Sequence, residues 1–136
     1  EYTSVDQRGN VFYLLANSGR SNIDNNDILD LISVRGKITS DKRDTIHIVS
    51  DFAQYNSVNL NSKFYENVII NYQDKEITCI NFDINMKTNK AVAYNDVLIT
   101  DSKSKMRAGL VEFDLKTKNI NINPKNTVED INVVTN

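Results

Sequence analysis

Apolar and polar positions alternate with a period of two along most of this chain, most clearly over residues 76–100. Ile80, Phe82 and Ile84 alternate there with Asn81 and Asp83, Lys87-Thr88-Asn89-Lys90 reads as a turn, and Val97 and Ile99 alternate with Asp96, Leu98 and Thr100. Such alternation puts apolar side chains on one face of a strand and polar ones on the other. Weaker copies of this strand–turn–strand pair predict strands over residues 11–16, 28–34, 45–52, 64–72, 106–115 and 120–122. Asp6-Gln7-Arg8-Gly9-Asn10, residues 17–27, Arg35-Gly36, residues 40–44, 56–63, 73–75, 101–105 and 116–119 are rich in Asn, Asp, Ser and Gly and read as turns or loops. Helical periodicity is poor everywhere. Its best candidate, residues 23–34, has Asn25-Asn26 at its start and Gly36 just past its end, and loop plus strand fits it better.

Spacing adds a repeat. Phe52, Phe82 and Phe113 lie 30 and 31 residues apart (82−52, 113−82), and Tyr65-Glu66-Asn67-Val68 returns 29 residues later (94−65) as Tyr94-Asn95-Asp96-Val97. Phe82-Asp83 followed by Met86-Lys87-Thr88 echoes Phe113-Asp114-Leu115-Lys116-Thr117. Periods of this size mark stacked units, each unable to cover its apolar face alone. The expected architecture is all-β: about eight or nine antiparallel strands forming an open jelly roll or a two-sheet slot. Residues 1–123 are expected to form one domain, and 124–136, after the only proline, Pro124, a tail that can add a last strand.

Composition narrows the function classes. A length of 136 residues suits one domain with a real core, and 40% hydrophobic residues with a mean hydropathy of −0.44 suit a globular chain. A net charge of −2 and an isoelectric point near 5.4 argue against a nucleic-acid surface. Single Cys79 excludes an internal disulfide, and no apolar run approaches the ~20 residues of a membrane-spanning helix. The chain begins at Glu1 rather than Met, so a leader or anchor ahead of it is compatible with the sequence.

The chemistry of catalysis is thin. No glycine-rich phosphate loop, HExxH or CxxC occurs, and one His with one Cys cannot build a zinc site, so no cofactor, metal or catalytic residue is assigned. His47 falls on the polar face of its strand, and Cys79 reads as a packed thiol. Asp24, Asp27 and Asp30 lack the glycine and distal glutamate of a calcium loop. Lys103, Lys105 and Arg107 could join Lys42 and Arg43 in a basic rim, or simply charge a turn against aggregation. Asp83, Asp96, Glu112 and Asp114 supply carboxylates for a carbohydrate-active enzyme, provided two converge within ~5–10 Å.

Asp6-x-x-Gly9 ahead of an apolar strand ending in Ala16, paired strands at a ~30-residue period, Asn67-Val68-x-Ile70 and Asp96-Val97-x-Ile99, and Met106-Arg107-Ala108-Gly109-Leu110 together resemble the OstA-like periplasmic proteins of lipopolysaccharide transport. The likeness covers roughly residues 3–123, is greatest to the LptC type, and has the LptA type as its alternative. In the first strand Phe12, Leu14 and Ala16 alternate where that family places its alanine one residue later, and the tryptophan that often opens the third strand is missing. The resemblance implies a β-jelly roll open at both ends with acyl chains in its groove. It also implies lipopolysaccharide, other jelly-roll proteins paired edge to edge and an inner-membrane ABC transporter as partners, no enzymatic activity, a periplasmic location, and a tethering N-terminal helix outside this chain. Alternation supplies the groove candidates: Phe12, Leu14, Ile46, Ile48, Phe52, Phe64, Val68, Ile70, Ile80, Phe82, Val97, Ile99, Val111 and Phe113. The competing reading is a structural or adhesive β-repeat domain with a packed core and no lipid.

Overall fold

The computed structural model describes residues 2–5, 11–40, 43–117, 119–123 and 133–135. They form strands β1 (Tyr2–Val5), β2 (Val11–Ser21), β3 (Ile28–Ser40), β4 (Arg43–Asn56), β5 (Ser62–Tyr72), β6 (Lys75–Asn85), β7 (Lys90–Thr100), β8 (Ser104–Asp114), β9 (Ile120–Asn123) and β10 (Val133–Thr135). All pairing is antiparallel, in the order β1 to β8 followed by β10, while β9 pairs with the other half of β8. The architecture is thus all-β, as the alternation predicts, built as one continuous meander. The predicted turn at residues 6–10, Lys42 and Ile131 lie outside the described residues.

The strands run longer than expected. Arg35-Gly36 is not a turn: Arg35 pairs with Leu15 and Val49, and Gly36 with Leu14 and Ile48, in mid-strand. The predicted loop at residues 17–27 likewise gives up its first part to β2, which continues to Ser21. Polar residues extend these strands because cross-strand hydrogen bonds do not depend on the side chain.

A line of irregularities crosses the sheet. The register shifts between Val49 and Phe52, Tyr65 and Val68, Thr78 and Asn81, and Tyr94 and Val97. Ser33 (φ 55°), Glu66 (66°), Asn67 (53°), Asn95 (64°) and Asp96 (59°) adopt the left-handed conformation at this line. Bulges bend a strand and raise its twist, and stacked side by side they crease the sheet. Phe64 on β5 meets the β3 position Gly36, where an added Cβ would lie 3.1 Å from Cζ of Phe64. Gly36 aligns through Ile48 with Ile70, six residues along β5 from Phe64 (70−64), a flat-sheet separation of about 20 Å. Two halves of one sheet therefore fold face to face as opposing walls. Gly36 suits this approach, because a Cβ there would crowd the Phe64 ring.

Asparagine and aspartate close the hairpins. Oδ1 of Asn22, Asn56, Asn85, Asp101 and Asp114 each accepts from the amides two and three residues on, at 2.8–3.2 Å. Asn56, Asn85 and Asp114 recur every 29 residues (85−56, 114−85), as do Tyr65 and Tyr94 (94−65). The repeat is thus one of turn and bulge positions: Glu66-Asn67 and Asn95-Asp96 are equivalent left-handed pairs, each followed by a buried valine.

Candidate functional site

The apolar interior between the walls is the candidate site. Phe12, Leu14, Ile46, Ile48, Phe64, Val68, Ile70, Phe82, Val97, Ile99, Val111 and Phe113 all point into it and are buried. An aromatic ladder runs through it. Ring centroids lie 6.4 Å apart for Phe12–Phe64, 6.1 Å for Phe64–Phe82, 5.9 Å for Phe82–Phe113 and 6.4 Å for Tyr72–Phe113. The Phe12–Phe64 and Tyr72–Phe113 pairs bridge the walls. Leu31, Val34, Ile38, Ile77, Ile84 and Leu115 complete the lining. Strict alternation could not have selected Leu31 together with Val34, because the face switches between them at the left-handed Ser33.

Bulges on β4 and β6 turn two groove candidates outward in the same way. Phe52 is 37% exposed and Ile80 40% exposed, both on the outer face. On β4 the inward set runs Ile46, Ile48, Ser50 and then Ala53, so the bulge moves Phe52 outward, where it stacks on Tyr65 at 5.5 Å. On β6 Ile77 and Cys79 face inward, followed after the bulge by Phe82 and Ile84, which leaves Ile80 outside. A one-residue slip reverses every later side chain, so alternation read through a bulge assigns one half of a strand to the wrong face.

Ser50 and Cys79 serve these two bulges alike. Oγ of Ser50 donates to the Phe52 carbonyl at 2.9 Å, and Sγ of Cys79 to the Asn81 carbonyl at 3.2 Å. Both are buried and face inward, each satisfying a carbonyl at its bulge. Burial pushes the Cys79 thiol up to about 12, so it stays protonated and is structural, as its neighbours suggest.

The remaining candidate residues are engaged in structural contacts. Asp83 accepts from the Tyr94 hydroxyl at 2.9 Å; burial first, then this bond, pushes the Tyr94 phenol up to about 12. Asp96 pairs with Arg107 at 3.5 Å and Glu112 with Lys90 at 3.6 Å, while Asp114 caps its turn. Each of these carboxylates has a structural partner. Asp30 accepts from Asn22 and Gln54 side-chain amides, both at 3.0 Å, and no group of three or more His, Cys, Asp or Glu fit to hold a metal occurs among the described residues. His47 is exposed, paired with Lys37 and Asn71. Three strands separate β4, which begins at Arg43, from the β8 basic residues Lys105 and Arg107, so pairing does not assemble the basic rim.

Both sheet edges present unpaired backbone. β1 covers β2 only over Val11–Leu14, so residues 15–21 have no neighbour on that side among the described residues, and β9 and β10 each pair with β8 alone.

An antiparallel meander creased into two walls around an apolar interior defines an open β-jelly roll. The family described as "Lipopolysaccharide-assembly, LptC-related" matches residues 1–128, and the chain belongs to it. The fold is also similar to the crystal structure of LptH from Pseudomonas aeruginosa, the LptA homologous periplasmic component of the conserved lipopolysaccharide transport device. That likeness has a TM-score of 0.62 at 7% identity and covers 90% of this chain and 93% of the other. No curated protein sequence matches the chain. Membership of that family places the chain in lipopolysaccharide assembly. Among the described residues no helix is long and apolar enough to cross a membrane.

Proposed function

We propose that the interior between the walls receives the acyl chains of lipopolysaccharide, and that the chain hands this lipid on from an inner-membrane ABC transporter to further jelly-roll proteins. The observation that carries the reading is the continuous apolar lining, from Phe12 and Leu14 through Phe64, Ile70 and Phe82 to Phe113, in a member of the lipopolysaccharide-assembly family. These side chains pack against each other across the interior. An acyl chain enters by taking the place of contacts between the walls, which turn about the creased line of bulges. Each CH₂ moved from water into this lining gains about 0.8 kcal/mol. About ten of them therefore gain some 8 kcal/mol, which is set against the loss of wall-to-wall packing.

The open edge of β2 and the short strands β9 and β10 support pairing with the same fold in neighbouring proteins, since an unpaired edge is a ready template for another strand. Residues 1–123 act as the lipid-binding domain. A tethering helix ahead of this chain would fix one end at the inner membrane. No step of this function calls for a catalytic residue.

Lipid capture tests the reading. Ile70→Asp puts a charge on the lining and should abolish capture of radiolabelled lipopolysaccharide, while exposed Lys63→Gln should leave it intact. Undiminished capture by a folded Ile70→Asp variant would remove the interior as the binding site.

A further inference from the structure

On the outer side of the wall formed by β2, β3 and β4, away from the lipid-type interior, the register gathers positive charge. Arg35 and Lys37 project from one face of β3. Lys37 is paired with Tyr13 on β2 and with His47 on β4, and Arg35 with Leu15 and Val49. Opposed residues on one sheet face lie about 5 Å apart, and residues two apart on a strand about 7 Å. The Lys37 ammonium lies 4.8 Å from the Tyr13 ring centroid, a cation–π contact that holds it in place. Tyr13, Leu15, Arg35, Gly36, Lys37 and His47 line an open depression of about 360 Å³.

Charge is left over here. In a chain of net charge −2, three other cations meet carboxylates, Lys75 with Asp74, Lys90 with Glu112 and Arg107 with Asp96, whereas Arg35 and Lys37 stand two residues apart on one face of β3. No carboxylate lines this depression, and neither Arg35 nor Lys37 forms an ion pair among the described residues. Arg35 also lines an adjoining depression that contains one acid, Asp51, which already accepts from Asn67 at 2.7 Å. We propose that this depression binds a phosphate group. The Arg35 fork supplies a bidentate donor, Lys37 a point charge, and the Tyr13 hydroxyl and a His47 ring N–H further donors, matching the several acceptor oxygens of phosphate. The wide mouth and the half-exposed Leu15 beside it suit a phosphate presented on a lipid headgroup as well as a free one.

Two probes separate those sources: inorganic phosphate followed by amide chemical shifts, and vesicles of phosphatidylglycerol or phosphatidylcholine followed by co-sedimentation at low salt. Arg35→Gln and Lys37→Gln are compared with Lys116→Gln, which removes an equal charge from a turn elsewhere, all with unchanged circular dichroism. A headgroup site retains the protein on phosphatidylglycerol but not phosphatidylcholine, about five-fold more weakly in each site variant and unchanged in Lys116→Gln. A free-phosphate site gives saturable shifts at Arg35, Lys37 and His47, lost in the site variants, with no vesicle retention. Binding of neither probe, binding indifferent to vesicle charge, or site variants that behave like Lys116→Gln would overturn the proposal.

Discussion

Replacing Phe64 and Phe52 separately with alanine tests the crease and the facing of side chains that follows from it. Phe64 is 0% exposed, flanked by Phe12 at 6.4 Å and Phe82 at 6.1 Å, with the Gly36 backbone of the opposite wall against its ring. Truncating a fully buried phenylalanine costs about 3–5 kcal/mol, because the transfer energy is lost and the walls cannot collapse fully into the cavity. A domain of this size has about 5–15 kcal/mol in total. At roughly 3–5 °C per kcal/mol the unfolding midpoint should fall by about 9–25 °C. Phe52 is 37% exposed and its ring meets Tyr65 at 5.5 Å on the outer face. Its truncation loses one aromatic pair and a partial burial, about 1–2 kcal/mol. Urea unfolding followed by tyrosine emission measures both, since the chain has 6 tyrosines and no tryptophan. Equal losses for the two variants, or a larger loss for Phe52→Ala, would refute the assignment of Phe52 to the outside and with it the bulge at β4.

Two further outcomes follow from the turns and bulges. The Thr117 amide, and less strongly that of Lys116, holds the Asp114 carboxyl below its ordinary value of 3.8. A depressed carboxyl contributes stability that is complete above its unfolded value and is lost as pH falls through its lower folded value. The amide resonances of Lys116 and Thr117 should therefore shift as pH drops below 3.8, whereas in Asp114→Asn, which can cap the turn as Asn85 does, they should not. Cys79, protonated up to about pH 12 by burial, should be alkylated at pH 8 only as fast as the protein unfolds. Rapid labelling of the native protein would mean that the β6 bulge opens on its own.

Strand content and antiparallel pairing were legible in the sequence because alternation reports burial directly, as Ile46–Ile48 and Phe82–Ile84 show. The crease was not. A bulge inserts residues without changing composition, so Phe52 and Ile80 kept the parity of one half-strand while lying beyond the reach of its face. The signal was present in Tyr65-Glu66-Asn67-Val68 and Tyr94-Asn95-Asp96-Val97, whose middle pairs take up the left-handed conformation. Asn and Asp tolerate that region better than most residues, so the repeated motif marks the fold line rather than plain strand. Gly36 misled in the opposite direction, since its missing side chain serves the approach of Phe64 and not a turn. The Asn- and Asp-rich segments read as turns do close the hairpins: Asn22, Asn56 and Asn85 do so as Asp101 and Asp114 do.

The central claim is that lipid lies between the walls. A photoreactive amino acid placed at Ile70, inside, and at Lys63, outside on the same strand, tests it in cells that make lipopolysaccharide. The account predicts a lipopolysaccharide adduct from position 70 and none from position 63. Adducts from neither position, or from 63 alone, with both proteins folded, would contradict it and leave a packed β domain that touches no lipid.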